Sequence, residues 1–177
     1  VAATTDKQHE LPLSVVIPVH DEAANIGPLI DEVAAALDGL LAFELVVVDD
    51  CSADDTAAVL AAAAASRPWL RRFRHQSNAG QSAALSSGIE AARGRWIATL
   101  DGDGQNDPAD LPMLLALVDL EAPVPARELI TGHRRRRHDN WLKRLSSKVA
   151  NAVRRGLLRD GTPDTGCGLK LFERQLF

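Results

Sequence analysis

The chain has only two cysteines, Cys51 and Cys167, and their spacing fits neither a metal-ligand set nor a disulfide framework. A reducing compartment, the cytoplasm, is the default expectation for such a chain. No apolar run approaches transmembrane length. Residues 1–10 are polar, lack a signal-peptide core and predict a flexible tail. Internal repeats are absent, and the only low-complexity stretch is the alanine run 61–65. No G-x-G-x-x-G follows the first predicted strand, and no G-x-x-x-x-G-K-[ST] occurs, which excludes the dinucleotide fingerprint and the P-loop. The most basic stretch contains a single aromatic, Trp141, so the interleaved stacking residues of a nucleic-acid surface are missing and no nucleic-acid partner is expected.

What is present is a chain of 177 residues, enough for one domain with a real core. Its net charge of -4 is unevenly spread. Nine Arg and Lys residues lie between Thr131 and Arg155 against one acid, Asp139, so this segment carries +8 and the remainder -12. Such asymmetry points to a local anionic partner: phosphate, nucleic acid or an anionic membrane surface. Apolar β-branched runs predict strands over 13–19, 43–48, 70–74, 96–100 and 129–131. Helices are predicted after the segment His20–Asn25, where Ile26, Leu29, Ile30, Val33 and Leu37 recur at helical spacing before Gly39, and over 56–66, 81–92 and 111–118. The helix from 111 takes its cap near Asp107 or Asp110, and a basic amphipathic helix is predicted over 141–158. Residues 161–168 form a glycine-containing loop, and 169–172 begin another element. Strands alternating with helices predict an α/β fold, a mostly parallel sheet flanked by helices. The division expected is a tail (1–10) and one core (11–177). The abrupt nonpolar end at Phe177 predicts that the chain continues in nature.

Acids follow three of these strands: Glu22 after the first, Asp49 and Asp50 after the second, Asp101 and Asp103 after the fourth. In a parallel sheet all three groups lie along one edge, where open α/β sheets bind ligands. The stretch 99–108, T-L-D-G-D-G-Q-N-D-P, is the centre of this pattern. Two carboxylates one residue apart disfavour double ionisation. A hard divalent cation such as Mg2+ or Mn2+ removes that conflict and keeps phosphate and water in the rest of its shell. Gly102 and Gly104 allow a tight bend and close approach to a ligand. Each residue also has a plainer reading. Glu22 alone is a first-turn helix acid, Asp50 a cap of the turn to Thr56, Asn78 and Gly80 turn residues, and 134–137 a solvated charge run.

Four segments in order, V-V-I-P-V-H-D-E-A-A-N-I, V-V-V-D-D-C-S-A-D-D-T, N-A-G-Q-S-A-A-L-S-S-G-I and L-D-G-D-G-Q-N-D-P, resemble the GT-A (Rossmann-like) fold, family 2 glycosyltransferases. Within them the chain looks most like the polyprenyl-phosphate (dolichol- or undecaprenyl-phosphate) mannosyl- and glucosyltransferases, which D-T-G-C-G-L-K-L-F-E-R also matches. The resemblance runs from about Leu13 to the end. It implies that Pro18, His20 and Glu22 line the base and ribose pocket, with His20 where a tyrosine often stands. It implies that Val48 and Asp50 contact base and ribose. Asp101, Gly102 and Asp103 would hold the diphosphate through Mg2+ or Mn2+, with Gln105 as a further ligand. Arg134 would stand near the transferred sugar and the acceptor phosphate, and Lys143, Arg144 and Ser147 against that phosphate.

The reaction so implied is the inverting transfer of a sugar from a nucleoside diphosphate sugar (UDP- or GDP-linked) to a polyprenyl phosphate. A phosphate monoester is already an anion, so no strong base is needed and arginines are the expected acceptor groups. The basic stretch 134–148 would also favour an anionic membrane surface, by about 1 kcal/mol per basic residue close to it, at the inner face of the cell membrane. A sugar hydroxyl as acceptor would need a carboxylate base, for which Asp164 is the candidate. A nucleotidyltransferase would want a Gly- and Arg/Lys-rich loop after the first strand, where P-V-H-D-E-A is acidic. A noncatalytic nucleotide- or partner-binding module is the third reading, and the intact D-G-D-G-Q speaks against lost metal binding.

Overall fold

The first predicted strand is continuous and β-branched because both of its faces are covered. In the computed structural model, which describes residues 11–120, 122, 129–132 and 167–177, β1 (Leu13–Val19) is buried along its whole length. It is followed by α1 (Ala23–Leu37), β2 (Phe43–Asp49), α2 (Thr56–Ala65), β3 (Leu70–Arg74), α3 (Gln81–Ala91), β4 (Trp96–Thr99), α4 (Leu111–Leu115), β5 (Leu129–Thr131) and β6 (Lys170–Glu173). The six strands form one sheet in the order β3-β2-β1-β4-β6-β5. β1 pairs in parallel with β2, from Leu13 opposite Phe43 to Val19 opposite Asp49, and with β4, from Leu13 opposite Trp96. β3 adds in parallel to β2. β6 is antiparallel to both of its neighbours. The expected α/β fold with a mostly parallel sheet is therefore present, with one reversed strand.

Alternation along the strands sorts side chains onto two faces. Leu13, Val15, Ile17 and Val19 pack with Leu45, Val47, Trp96 and Ala98 under Ile26, Leu29, Ile30, Val33 and Leu37 of α1, Leu60 of α2, and Leu111, Leu114 and Leu115 of α4. Val16, Val46, Val48 and Ile97 face the other way, against Ala84 and Ile89 of α3. A Cβ on Gly88 of α3 would lie 2.4 Å from Val16 Cγ1, so the bare glycine sets how closely that helix approaches the sheet.

The helix ends follow local chemistry. Gly39, at φ +71°, stands just beyond α1. Asp107 caps the 3-10 turn Pro108–Asp110 through its bond from Ala109 N–H (2.9 Å). The helix predicted over 111–118 is shorter, because Leu117 and Val118 donate to Leu114 and Leu115 and tighten its last turn. The predicted tail (1–10), basic helix (141–158) and residues 161–166 of the glycine-containing loop lie outside the described residues.

This topology fixes where a ligand can enter. β1 connects through α1 to β2 on one side, and β4 sits on its other side. The chain order thus switches at β1 and β4, and the crevice at their carboxyl ends is the place open α/β sheets use for ligands.

Candidate active site

The acids predicted at three strand ends converge on that crevice. A cavity of about 470 Å3 is lined by Pro18, His20 and Glu22 after β1, Asp50 after β2, and Asp101, Gly102 and Asp103 after β4, with Asn78, Gly80 and Gln81 at the start of α3. Its walls come from four separate segments of chain, so it is a product of the fold and not of one turn.

The first wall is a pair of interlocked loops. Asp21, in a left-handed conformation (φ 56°), accepts the N–H groups of Ala53 (2.6 Å) and Asp54 (3.3 Å). In return, Asp21 N–H donates to Ser52 Oγ, Glu22 N–H to Thr56 Oγ1 and Ala23 N–H to Asp54 Oδ2. The amino end of α1 has no cap from its own Glu22. It is capped instead by side chains of the β2–α2 loop, which holds His20 and Glu22 in place. Glu22 stands at the cap position of α1 and not in its first turn, takes a bond from Asn25 Nδ2 (2.6 Å) and lines the cavity.

His20 is held at both ring nitrogens, and its Nε2 also lies 3.5 Å from Asp21 Oδ2. Its Nδ1 lies 2.9 Å from the Asp50 carbonyl oxygen and its Nε2 3.1 Å from Asn78 Nδ2. Asn78 Oδ1 accepts Gly80 N–H, so its amide nitrogen faces the imidazole. Nδ1, facing a carbonyl oxygen, donates to Asp50 O.

Asp49 and Asp50 are separated in role. Asp49 is buried, accepts Ser52 N–H (2.8 Å) and pairs with Arg74 (3.4 Å), holding the turn. Asp50, only 3% exposed, accepts from Ala79 N–H (2.9 Å), Gly80 N–H (2.7 Å) and His75 Nδ1 (2.7 Å). His75 Nε2 rests on Ser87 Oγ (3.0 Å). Burial pushes the Asp50 carboxyl up, but the bonds from Ala79, His75 and Gly80 outweigh it and leave it below its ordinary range. A folded pKa below the unfolded one contributes stability that is complete above about pH 4 and lost as the pH falls through the folded value. The thermal midpoint should therefore drop on acidification below that point, and Asp50→Asn should lack this part of the drop.

Asp101 and Asp103 flank Gly102 at the mouth of β4. Asp101 Oδ1 accepts Gln81 Nε2 (2.9 Å), which ties β4 to α3. Asp103 is exposed and accepts Gln105 N–H (3.0 Å). A Cβ on Gly102 would meet Pro18 O at 2.8 Å and Val19 Cγ1 at 2.5 Å, so only glycine lets this loop lie against the end of β1. The donor set suits a hard cation. It offers two carboxylates, and no group of three His, Cys, Asp or Glu able to hold a metal occurs among the described residues. A cation here would take the rest of its oxygen shell from phosphate and water.

Two predicted residues do not line the cavity. Val48 is fully buried beneath α3, with Gly88 beside its Cγ2. Gln105 is exposed on the loop beyond Asp103. Arg134, Lys143, Arg144, Ser147 and Asp164 lie outside the described residues. Conversely, sequence reasoning gave no site role to His75, Asn78 or Gln81. The segment N-A-G-Q carried the only signal for two of them.

Comparison with known proteins shows the family and the fold. The model of glycosyl transferase family 2 matches residues 14–177, and the chain belongs to that family. A dodecaprenyl-phosphate galacturonate synthase of Rhizobium johnstonii is 37% identical over 180 residues, covering 99% of this chain and 52% of the relative. An undecaprenyl-phosphate 4-deoxy-4-formamido-L-arabinose transferase of Aeromonas hydrophila is 34% identical, covering 93% of this chain and 49% of the relative. The chain thus spans about half the length of these relatives. Among solved structures, a mannosyltransferase from Pyrobaculum calidifontis in complex with GDP-Man and Mn2+ superposes with a TM-score of 0.64 at 22% identity, over 96% of this chain and 46% of the other. Glucosyl-3-phosphoglycerate synthase from Mycobacterium tuberculosis, in complex with UDP, gives 0.69 at 24% identity, over 94% and 58%. These likenesses show the GT-A fold.

Proposed function

We propose that this chain carries the donor site of an inverting transferase that moves a sugar from a nucleoside diphosphate sugar to a polyprenyl phosphate. One observation carries the reading: Glu22, Asp50, Asp101 and Asp103, from three strand ends, line a single cavity at the switch point of the sheet. The names of the two relatives, both acting with prenyl phosphates, support the acceptor class.

Pro18, His20, Glu22 and Asp50 take the base and ribose. Asp101 and Asp103 would hold Mg2+ or Mn2+, with Gln105 as a further ligand reached by a movement of its exposed side chain. Bound there, the cation supplies charge neutralisation for the departing diphosphate. An oxygen of the acceptor phosphate attacks the anomeric carbon as the bond from that carbon to the diphosphate oxygen breaks, and the configuration inverts. The attacking oxygen is already anionic, so the chain need not supply a general base. Arg134, Lys143, Arg144 and Ser147 are assigned to hold the acceptor phosphate, and the basic stretch around them to meet an anionic membrane surface from the cytoplasmic side.

The test uses labelled UDP- and GDP-sugars with undecaprenyl phosphate, and with the matching alcohol as control. Label should pass to the phosphorylated lipid and not to the alcohol. Transfer to a sugar hydroxyl instead, lost in Asp164→Ala, would replace the lipid phosphate as acceptor.

A further inference from the structure

The short strap Cys167–Leu169 leads into β6 and lies against the carboxylate loop. Thr99 Oγ1 donates to Gly168 O (2.5 Å), and Gly132 N–H donates to Leu169 O (2.9 Å). Asn106, 5% exposed, accepts Asp101 N–H at Oδ1 (3.3 Å) and turns its Nδ2 to Cys167 Sγ (3.6 Å). Lys170 Nζ donates to Cys167 O. The strap is thus tied from both neighbouring strands and from the D-G-D-G-Q-N loop itself.

At its centre Gly168 faces Asp101. A Cβ on Gly168 would lie 2.2 Å from Asp101 Cγ and Oδ2 and 2.4 Å from Oδ1. Those separations are far inside van der Waals contact, and all three atoms belong to the carboxylate. The volume a side chain at 168 would fill is the volume Asp101 uses.

We propose that Gly168 is a positioning residue for Asp101: its missing side chain leaves the space that holds the Asp101 carboxylate at the cavity wall, in reach of Gln81 and of a divalent cation. The inference rests on the metal role given to Asp101 above. Of the groups at the contact, the carboxylate is the easiest to move, because Gly168 is fixed by Thr99 and its paired neighbours. A methyl at 168 therefore turns Asp101 away and breaks its bond from Gln81, and the strap stays in place. Groups that orient a metal ligand typically matter about 10–100-fold in metal affinity.

Calorimetric titration with UDP and with GDP, each with and without Mn2+, tests this on the wild type, Gly168→Ala and Gly132→Ala. A Cβ on Gly132 would press on the same strap, with Leu169 and Cys167 as its nearest neighbours at 3.1–3.3 Å. Gly168→Ala should lose at least about tenfold of the Mn2+-dependent gain in nucleotide affinity and keep the metal-free affinity, and Gly132→Ala should keep both. A Gly168→Ala protein that keeps the gain overturns the inference alone. A wild type with no Mn2+-dependent gain overturns the metal reading and the inference with it. If Gly168→Ala does not fold, Asp101→Gly in the same chain should restore folding by vacating the contested space; failure to do so also overturns the proposal.

Discussion

Asp103→Ala should leave the protein folded and lower sugar transfer by about two to three orders of magnitude, the cost of removing one group that stabilises charge on a departing oxyanion. The two halves of this expectation have separate causes. Asp103 is exposed, and its bond comes from the neighbouring Gln105 N–H, so little native structure depends on it. Surface changes of this kind stay within about 0.5 kcal/mol of neutral. Its carboxylate, however, is one of the two that the described residues place at the mouth of β4 beside the cavity. On the proposed reading, removing it would halve the side-chain charge that Asp101 and Asp103 offer a cation as the diphosphate departs. Parallel rate and melting measurements check both halves. A tenfold loss or less would place Asp103 outside the chemistry, and a large fall in melting temperature would show that the loop depends on it.

The largest stability effect is expected at the opposite end of the sheet. Glu44, at the start of β2, is 2% exposed. It accepts from Ser14 Oγ (2.6 Å), Arg71 (2.8 Å) and Arg93 N–H (2.5 Å). Ser14 Oγ in turn accepts Gly94 N–H (2.8 Å), and Arg71 also reaches Ala91 O (2.8 Å). One carboxylate thus joins β1, β2, β3 and the end of α3. Burial raises its pKa, but the bonds from Ser14, Arg71 and Arg93 and the charge of Arg71 outweigh that and leave it below its ordinary range. Glu44→Ala removes the acceptor of the Arg71 guanidinium, of the Arg93 N–H and of the Ser14 hydroxyl and should cost about 3–5 kcal/mol, as breaking one side of a buried ion pair does. That is a large share of the roughly 5–15 kcal/mol that holds a domain together. The wild type should hold this contribution above the ordinary glutamate range and lose it as the pH falls through the lowered value, whereas Glu44→Ala should lack that acid limb. Denaturant melts across pH 3–7 measure both. Nucleotide affinity below the melting transition should be unchanged, because Glu44 sits at the end of the sheet away from the cavity.

Much of this architecture was legible in the chain, and the reasons are local. The buried residues of α1, Ile26, Leu29, Ile30, Val33 and Leu37, are the ones helical spacing picks out. The acids after β1, β2 and β4 reach one cavity because parallel strands put their carboxyl ends on one edge. What escaped was set by partners distant in sequence. The reversal of β6 depends on its pairing with β4, some seventy residues away, as Trp96 opposite Glu173 records. The cap of α1 comes from Asp54 and Thr56 across a loop, where no capping pattern can register it. Val48 and Asp50 lie two apart and read alike, yet α3 covers Val48 while Asp50 projects past the strand end. His75 has no motif of its own. Only the fold shows that it braces Asp50 from behind, between that carboxylate and Ser87.

In the proposed function this cavity binds a nucleoside diphosphate with the help of a divalent cation. Isothermal titration of UDP and of GDP into the wild type and Asp103→Ala, with and without Mn2+, tests it most directly. Binding of one nucleotide to the wild type that Mn2+ strengthens, with that gain lost in Asp103→Ala, is the predicted result. A folded wild type that binds neither nucleotide, or binds one equally well without the metal, would contradict it.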